Sequence, residues 1–183
     1  MSFITKNHKF LFEANINILE SKLNYSFKNH KLLEQALTHP SFSEQNYEVL
    51  EFLGDSVLNF TITSLLVKKF CSNNENKNHI EGKLSKIKSY LVSKDVLIAI
   101  FKKLNILEYI IMSHGEEITN GRTKDTVAEN VLEAIIGAIY LDSDINKAKD
   151  FIIKLWQEFV DNAENLIVSF DPKTKLQELS YQK

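Results

Sequence analysis

Cysteine is nearly missing from this chain: Cys71 is the single thiol among 183 residues. No intramolecular disulfide and no cysteine-based zinc site can form, and a free thiol in a reducing cytosol is the expectation. Proline occurs twice and glycine five times. Apolar residues recur mostly at three- and four-residue spacing instead of alternating, which argues against a sheet and for an all-α domain. A basic excess is absent too: 22 Lys+Arg against 24 Asp+Glu leave a net charge of −2, with a pI near 6.2. No global positive field advertises nucleic-acid binding, so such a partner would have to be held by local lysines or through metal ions. The first residues lack the basic-then-apolar layout of a leader. The longest apolar run, 131–141, is short and carries Glu133, so no membrane span is expected and a soluble cytoplasmic protein is.

What is present suffices for one packed domain with a short appendage: 44% of the residues are hydrophobic and 25% charged. The spacing predicts helices over 10–23 and 30–37, the latter stopped by Pro40, then a long one over 47–70. A polar Asn/Lys-rich loop over 72–78 separates these from helices over 80–91 and 93–104, with Ser93 as a cap. Residues 106–120 read as irregular; 123–141 and 146–160 restore amphipathic helices, the last holding Trp156 as a core residue. Glu164 to Asp171 reads as a linker, followed by a stub carrying Leu176 and Leu179 that is too short to bury a core of its own.

The chain is organised around Glu48 to Asp55. On a helix, Glu48, Glu51 and Asp55 fall in one sector while Leu50, Leu53, Val57 and Phe60 line the opposite, core-facing side. Like charges at these spacings repel, so protonation, a basic partner or a divalent cation must offset them. Glu51 and Asp55 lie roughly 6 Å apart along the axis, close enough to converge on one ion, whereas Glu48, about 10 Å from Asp55, serves a different spot. A solvated acidic stripe is the plain alternative. Gly54 argues against it, because glycine inside a helix costs about 0.5–1 kcal/mol and suggests close approach of another backbone or a partner.

A second cluster, Glu129, Asn130 and Glu133, sits on the helix from Thr123, with Glu133 flanked by apolar residues. Packed against the first acidic helix, Glu51, Asp55 and Glu133 can converge from two directions. Oxygen-only ligands select hard cations, Mg²⁺ or Mn²⁺, and suit metal-assisted phosphodiester hydrolysis. A di-iron carboxylate bundle needs Glu-x-x-His on two helices, and no histidine here follows a glutamate by three.

With these blocks assembled, the chain resembles bacterial ribonuclease III. Glu48 to Leu58 (EVLEFLGDSVL) is similar to that family's signature, and Ala36-Leu37-Thr38-His39-Pro40-Ser41 to the segment before it. Glu81-Gly82-Lys83-Leu84-Ser85, Gly115-Glu116-Glu117 with Gly121-Arg122, and Glu133 to Asp142 follow in family order. The resemblance implies an all-α endonuclease domain over 1–162, a linker over 163–172 and, over 173–183, the opening of a double-stranded-RNA-binding domain.

Residue by residue, the resemblance implies Glu51 and Glu133 as principal metal ligands, Asp55 as an acid that ligates or activates the attacking water, and Asp55 and Glu133 as the groups closest to the chemistry. Glu48 matches an acid set along the RNA cleft. The family's remaining metal-site aspartate aligns with Asn130, whose amide can still ligate Mg²⁺ but brings no charge. Val49, Lys86 and Lys88 stand where the family favours arginine. The resemblance further implies a homodimer, with Phe52, Leu53 and Gly54 in close contact across it, cutting double-stranded RNA with Mg²⁺ (or Mn²⁺) to staggered 5′-phosphate and 3′-hydroxyl ends. Processing of rRNA, mRNA and tRNA precursors goes with that, as do the absence of an organic cofactor and of a membrane partner. The alternative is a ribonuclease III-like dimer that holds RNA without cutting it.

Overall fold

The three- and four-residue spacing is realised as eight α-helices in the computed structural model, which describes residues 3–71 and 80–170, with side chains described over 12–71 and 80–163. They are α1 (Phe3–Leu23), α2 (His30–Ala36), α3 (Glu48–Cys71), α4 (Ile80–Leu91), α5 (Lys94–Leu104), α6 (His114–Ile118), α7 (Asp125–Asp142) and α8 (Ile145–Phe170). No strand occurs among the described residues; Thr38 and Ile111 form one isolated bridge. The span 106–120, read as irregular, holds α6 and a 3-10 turn, Leu107–Tyr109, and a second 3-10 turn, Gly121–Thr123, follows. The polar run 72–78 and the stub 173–183 lie outside the described residues. The segment read as a linker, 163–172, is instead helical as far as Phe170, because α8 continues through it.

The centre of the domain is α7, not α3. Val131, Leu132, Ala134, Ile135, Ile136, Ala138 and Ile139 are all fully buried, so this helix is apolar nearly all round and α2, α3, α5 and α8 pack about it. Trp156 of α8 is fully buried, as its sequence context implies, and its indole Nε1 donates to the Leu91 carbonyl at 2.7 Å. That bond closes the orphan carbonyl end of α4 with a buried donor. Asp142, at the C-terminal end of α7, is the other polar anchor. Its carboxylate accepts from the Lys28 and Asn29 amides at 3.0 and 2.8 Å and from the Tyr25 hydroxyl at 2.8 Å. Burial pushes this carboxyl up, and the two amides and the phenol more than reverse it, leaving it below the ordinary aspartate value.

The closest approach in the domain is between α3 and α7. A Cβ placed on Gly54 would stand 1.8 Å from the Glu133 carbonyl oxygen, and one on Gly137 would stand 2.2 Å from that of Leu50. The two helix backbones therefore touch with nothing between them, which only paired glycines permit. Gly54 was expected to meet a dimer partner; it is buried against its own chain. Phe60, expected on the core side of α3, is 55% exposed. With Val49, Phe52 and Val67 it forms an apolar stripe along the outer face of α3, because the wide face turned to α7 is taken by Leu50, Gly54, Val57, Leu58 and Thr61. This double-sided apolarity makes α3 the one described helix long and apolar enough to cross a membrane by length and composition.

Replacing Gly54 or Gly137 by alanine should destabilise the domain by about 3 kcal/mol or more, since neither backbone can retreat without opening the core. Thermal melts of Gly54→Ala and Gly137→Ala against the parent check this, and a loss within the range of a surface substitution would contradict the contact.

Candidate active site

The segment before α3 is fixed by backbone bonds that the Ala36 to Ser41 block makes. His39 N–H donates to the Ile111 carbonyl at 2.8 Å, Ile111 N–H to Leu37 at 2.8 Å, and Tyr47 N–H to Thr38 at 3.0 Å. Asn46 Oδ1 then accepts from the Glu48 amide at 2.9 Å and satisfies one of the free donors that open α3. His39 Nδ1 accepts from the Ser41 amide at 3.0 Å, and its ring meets the edge of Tyr47 with centroids 5.7 Å apart. The Gly115 to Glu117 block is tied to the Gly121-Arg122 block and its neighbours: Glu116 pairs with Lys124 at 2.7 Å, Glu117 pairs with Arg122, and Arg122 also donates to the Leu107 carbonyl at 2.7 Å.

The glycine crossing places the acids. Glu48 and Glu51 lie in the turns of α3 before Gly54, and Glu129, Asn130 and Glu133 in the turns of α7 before Gly137, with Asp55 at the crossing. Side chains on a helix lean toward its N-terminus, so both sets lean into the same wedge. Their mutual repulsion records the convergence. Burial raises the Glu133 carboxyl most, and the charges of Asp55, Glu129 and Glu51 add to this, pushing it up to about 8. Glu51 is raised by burial and then by Glu48, Glu129 and Asp55. Glu48 acts on Glu51, Tyr47 and His39, and is not among the groups acting on Glu133.

Of the residues singled out in the sequence, Glu51, Asp55 and Glu133 thus share one charged wedge, and Glu48 lies to the His39 side of it. Asn130 lies near Tyr47: burial raises the phenol, and the nearby Asn130 amide opposes this. Phe52 is 79% exposed and Leu53 half-buried. Two participants were missed, Tyr47 and Asn59; Tyr47 lies beside Asn130 at the entry of α3. Asn59 Nδ2 donates to Asp55 Oδ1 at 2.6 Å and leaves its other oxygen for a ligand; a polar side chain four residues past an acid was the available signal. Glu129 acts on both Glu51 and Glu133.

No three acidic, histidine or cysteine side chains among the described residues stand close enough to cage an ion as they are oriented. The donors nevertheless suit a hard divalent cation: they are oxygen-only, they repel one another, and among the described residues no ion pair neutralises Glu51, Asp55 or Glu133. Glu51, Asp55 and Glu133 could hold such an ion, with Asn130 supplying an amide oxygen.

The raised Glu133 has a definite pH consequence. Its folded value of about 8 lies above the unfolded one of 4.5, so the folded state binds the proton more tightly. Its contribution to stability is present below pH 4.5 and is lost as pH rises toward 8. Metal-free protein should therefore lose more melting temperature between pH 5 and pH 8 than Glu133→Gln does. Equal losses in the two would show that Glu133 titrates normally.

Comparison with known proteins places this arrangement. Residues 29–158 match a family model described as Ribonuclease-III-like. Ribonuclease 3 of Rickettsia felis is 48% identical over 167 residues, covering 87% of this chain and 71% of that protein. Ribonuclease 3 of Rickettsia bellii is also 48% identical, over 90% of this chain and 72% of its own length. Among solved structures, the nuclease domain of ribonuclease III from Campylobacter jejuni superposes with a TM-score of 0.71 at 40% identity, covering 79% of this chain and 97% of that one. Dicer from Pichia stipitis superposes at 0.57 with 27% identity, over 78% of this chain and 61% of its own. With a family model over most of its length and near-half identity to curated relatives, the chain belongs to the ribonuclease III family of endoribonucleases.

Proposed function

We propose that the chain is a divalent-metal-dependent endoribonuclease of double-stranded RNA, working in the cytoplasm as a homodimer in which each subunit supplies one acidic wedge and cuts one strand. The observation that carries this reading is the convergence of Glu51, Asp55 and Glu133 at the glycine crossing, with no ion pair to a basic side chain among the described residues. A bound Mg²⁺ or Mn²⁺ would supply the positive charge that offsets the phosphate and makes water a competent nucleophile near neutral pH. Glu51, Asp55, Glu133 and the Asn130 oxygen would hold the ion. Asn59 fixes one oxygen of Asp55, so that the other faces the site and receives the proton of the attacking water. Glu133, driven toward its protonated form by burial and then by its acidic neighbours, would have to release that proton to serve as a ligand. Products are staggered ends with 5′-phosphates and 3′-hydroxyls, and rRNA, mRNA and tRNA precursors are the substrates.

Two-fold symmetry supports a homodimer, because the strands of a duplex are themselves related by local dyads. The apolar stripe of Val49, Phe52, Phe60 and Val67 is the surface proposed for it, with Phe52 its most exposed ring. Leu53 is half-buried and contributes at the margin; Gly54 does not reach this face. Recognition of A-form RNA rests on shape, phosphates and 2′-hydroxyls rather than on base sequence.

Cleavage of a labelled RNA duplex with Mg²⁺, with Mn²⁺ and with chelator tests the reading. Cutting should need a metal and fall at least about 100-fold in Glu133→Ala, beyond the loss typical of an outer-shell partner. Binding without cutting in either metal would instead support the RNA-holding dimer. Phe52→Asp should weaken self-association at least about 30-fold in sedimentation experiments while leaving the melting temperature of the monomer nearly unchanged, because the ring is exposed in the single chain. A dimer of unaltered affinity would move the interface elsewhere.

A further inference from the structure

The loop between α2 and α3 presents an imidazole on the Glu48 side of the acidic wedge, outside its set of oxygen donors. His39 opens a tight turn with Pro40 at the second position, closed by the Phe42 amide donating to the His39 carbonyl at 2.9 Å. The backbone amide of His39 is spent on the Ile111 carbonyl, and its ring stands edge-on to the buried Tyr47. The Ser41 amide donates to Nδ1 at 3.0 Å. The Ser41 hydroxyl lies 2.9 Å from the same nitrogen, and its oxygen accepts from the Ser113 amide at 3.1 Å. A backbone amide can only donate, so Nδ1 keeps its lone pair and the proton of the neutral ring sits on Nε2. That N–H has no hydrogen-bond partner among the described residues, and the ring is half-buried. Burial lowers the imidazole from its ordinary value; Glu116 opposes this, Lys124 adds to it and Glu48 opposes it, and the ring is neutral at pH 7.

We propose that His39 is a substrate-contacting residue whose Nε2–H donates to an oxygen of the RNA backbone, a ribose 2′-hydroxyl or a phosphate oxygen, at the Glu48 side of the wedge. The inference rests on the double-stranded-RNA nuclease reading above and adds a contact to that same site. A histidine that only shapes a turn needs its acceptor nitrogen alone; here the turn, the Ser41 pair and the Tyr47 edge fix the whole ring and leave one donor unspent. An uncharged donor also suits the place. A lysine there would pair with Glu48 or Glu116 before any RNA arrived, whereas a neutral N–H stays available to an oxygen acceptor, and contacts to sugar and phosphate oxygens are how an A-form duplex is read.

Two variants of the full chain separate the contact from the turn. In His39→Asn the side-chain oxygen can accept from the amide two residues on, as Nδ1 does here, and Asn-Pro is itself a turn-forming pair, so the loop is kept and the Nε2 donor is lost. His39→Gln reaches as far as Nε2 with an amide N–H. With Mg²⁺ and a labelled RNA duplex, His39→Asn should keep the parent's melting temperature and raise KM by about 3–10-fold, the worth of one hydrogen bond between neutral groups, with kcat within about twofold. His39→Gln should recover most of the loss. Duplexes carrying a single 2′-deoxy or a single methylphosphonate unit at successive positions around the cut then locate the acceptor. At one position the parent should lose about 3–10-fold while His39→Asn is indifferent, a deoxy position identifying the hydroxyl and a methylphosphonate position the phosphate. An unchanged KM in His39→Asn overturns the proposal, as does the absence of any such position. A KM that rises in both variants only in step with a lowered melting temperature makes His39 a turn residue and overturns it too. In each of these cases a parent that cuts keeps the nuclease reading intact; a parent that cuts with neither Mg²⁺ nor Mn²⁺ brings both down.

Discussion

Everything that makes this domain chemically interesting depends on one steric fact: α3 and α7 meet backbone to backbone at Gly54 and Gly137. Side chains normally hold packed helix axes 8–10 Å apart. Removing both Cβ atoms at the crossing lets the turns just before it come close enough for short acidic side chains from separate helices to share a space. A single methyl group at either position would widen the wedge along its whole length. The acids could remain, yet they would no longer answer to one another.

The wedge stores electrostatic repulsion, and the fold holds it from several sides. Burial of α7 on nearly all its faces fixes the height of Glu133. The bridge between Thr38 and Ile111, with Asn46 over the first amide of α3, fixes the height of Glu48 and Glu51. Glu48 and Glu51 lie in the first turn of α3, where the positive end of its dipole offsets part of their charge. The remainder is carried in the raised carboxyls of Glu51 and Glu133. At the opposite end of α7, Asp142 shows the contrasting solution: a buried carboxylate given two backbone amides and a phenol stays ionised and structural. A half-buried acid and a buried one on the same helix thus differ in role because of the donors around them.

Much of this was legible in the sequence, for reasons that can be named. Three- and four-residue spacing gives the helices because periodicity survives any tertiary arrangement. The acid spacing on α3 and the glutamate amid apolar residues on α7 point to convergence before any packing is known. Gly54 was read correctly as a place of close approach, but a glycine does not say whose backbone arrives, and its partner is the glycine of the chain's own α7. Phe60 was misplaced because α3 carries two apolar faces and periodicity cannot rank them. The segment after Ala163 was read as a linker because its apolar spacing thins out, although the helix runs on to Phe170. Tyr47 was beyond reach, since its nearness to Asn130 is supplied only by three-dimensional packing, whereas Glu129 was read with its cluster and Asn59 stood at a helix spacing that could have found it.

The outer stripe and the acid ladder of α3 run side by side on one unbroken rod. Phe52 adjoins Glu51, Ser56 adjoins Asp55, and the stripe from Phe52 to Val67 continues for roughly 22 Å at about 1.5 Å per residue. With no proline in α3 and its one glycine clamped at the crossing, the rod has no joint between these two faces. One rigid element thus carries both the carboxylates and the exposed apolar stripe, so a body seated on Phe52 would rest one residue from Glu51, at the rim of the acidic wedge.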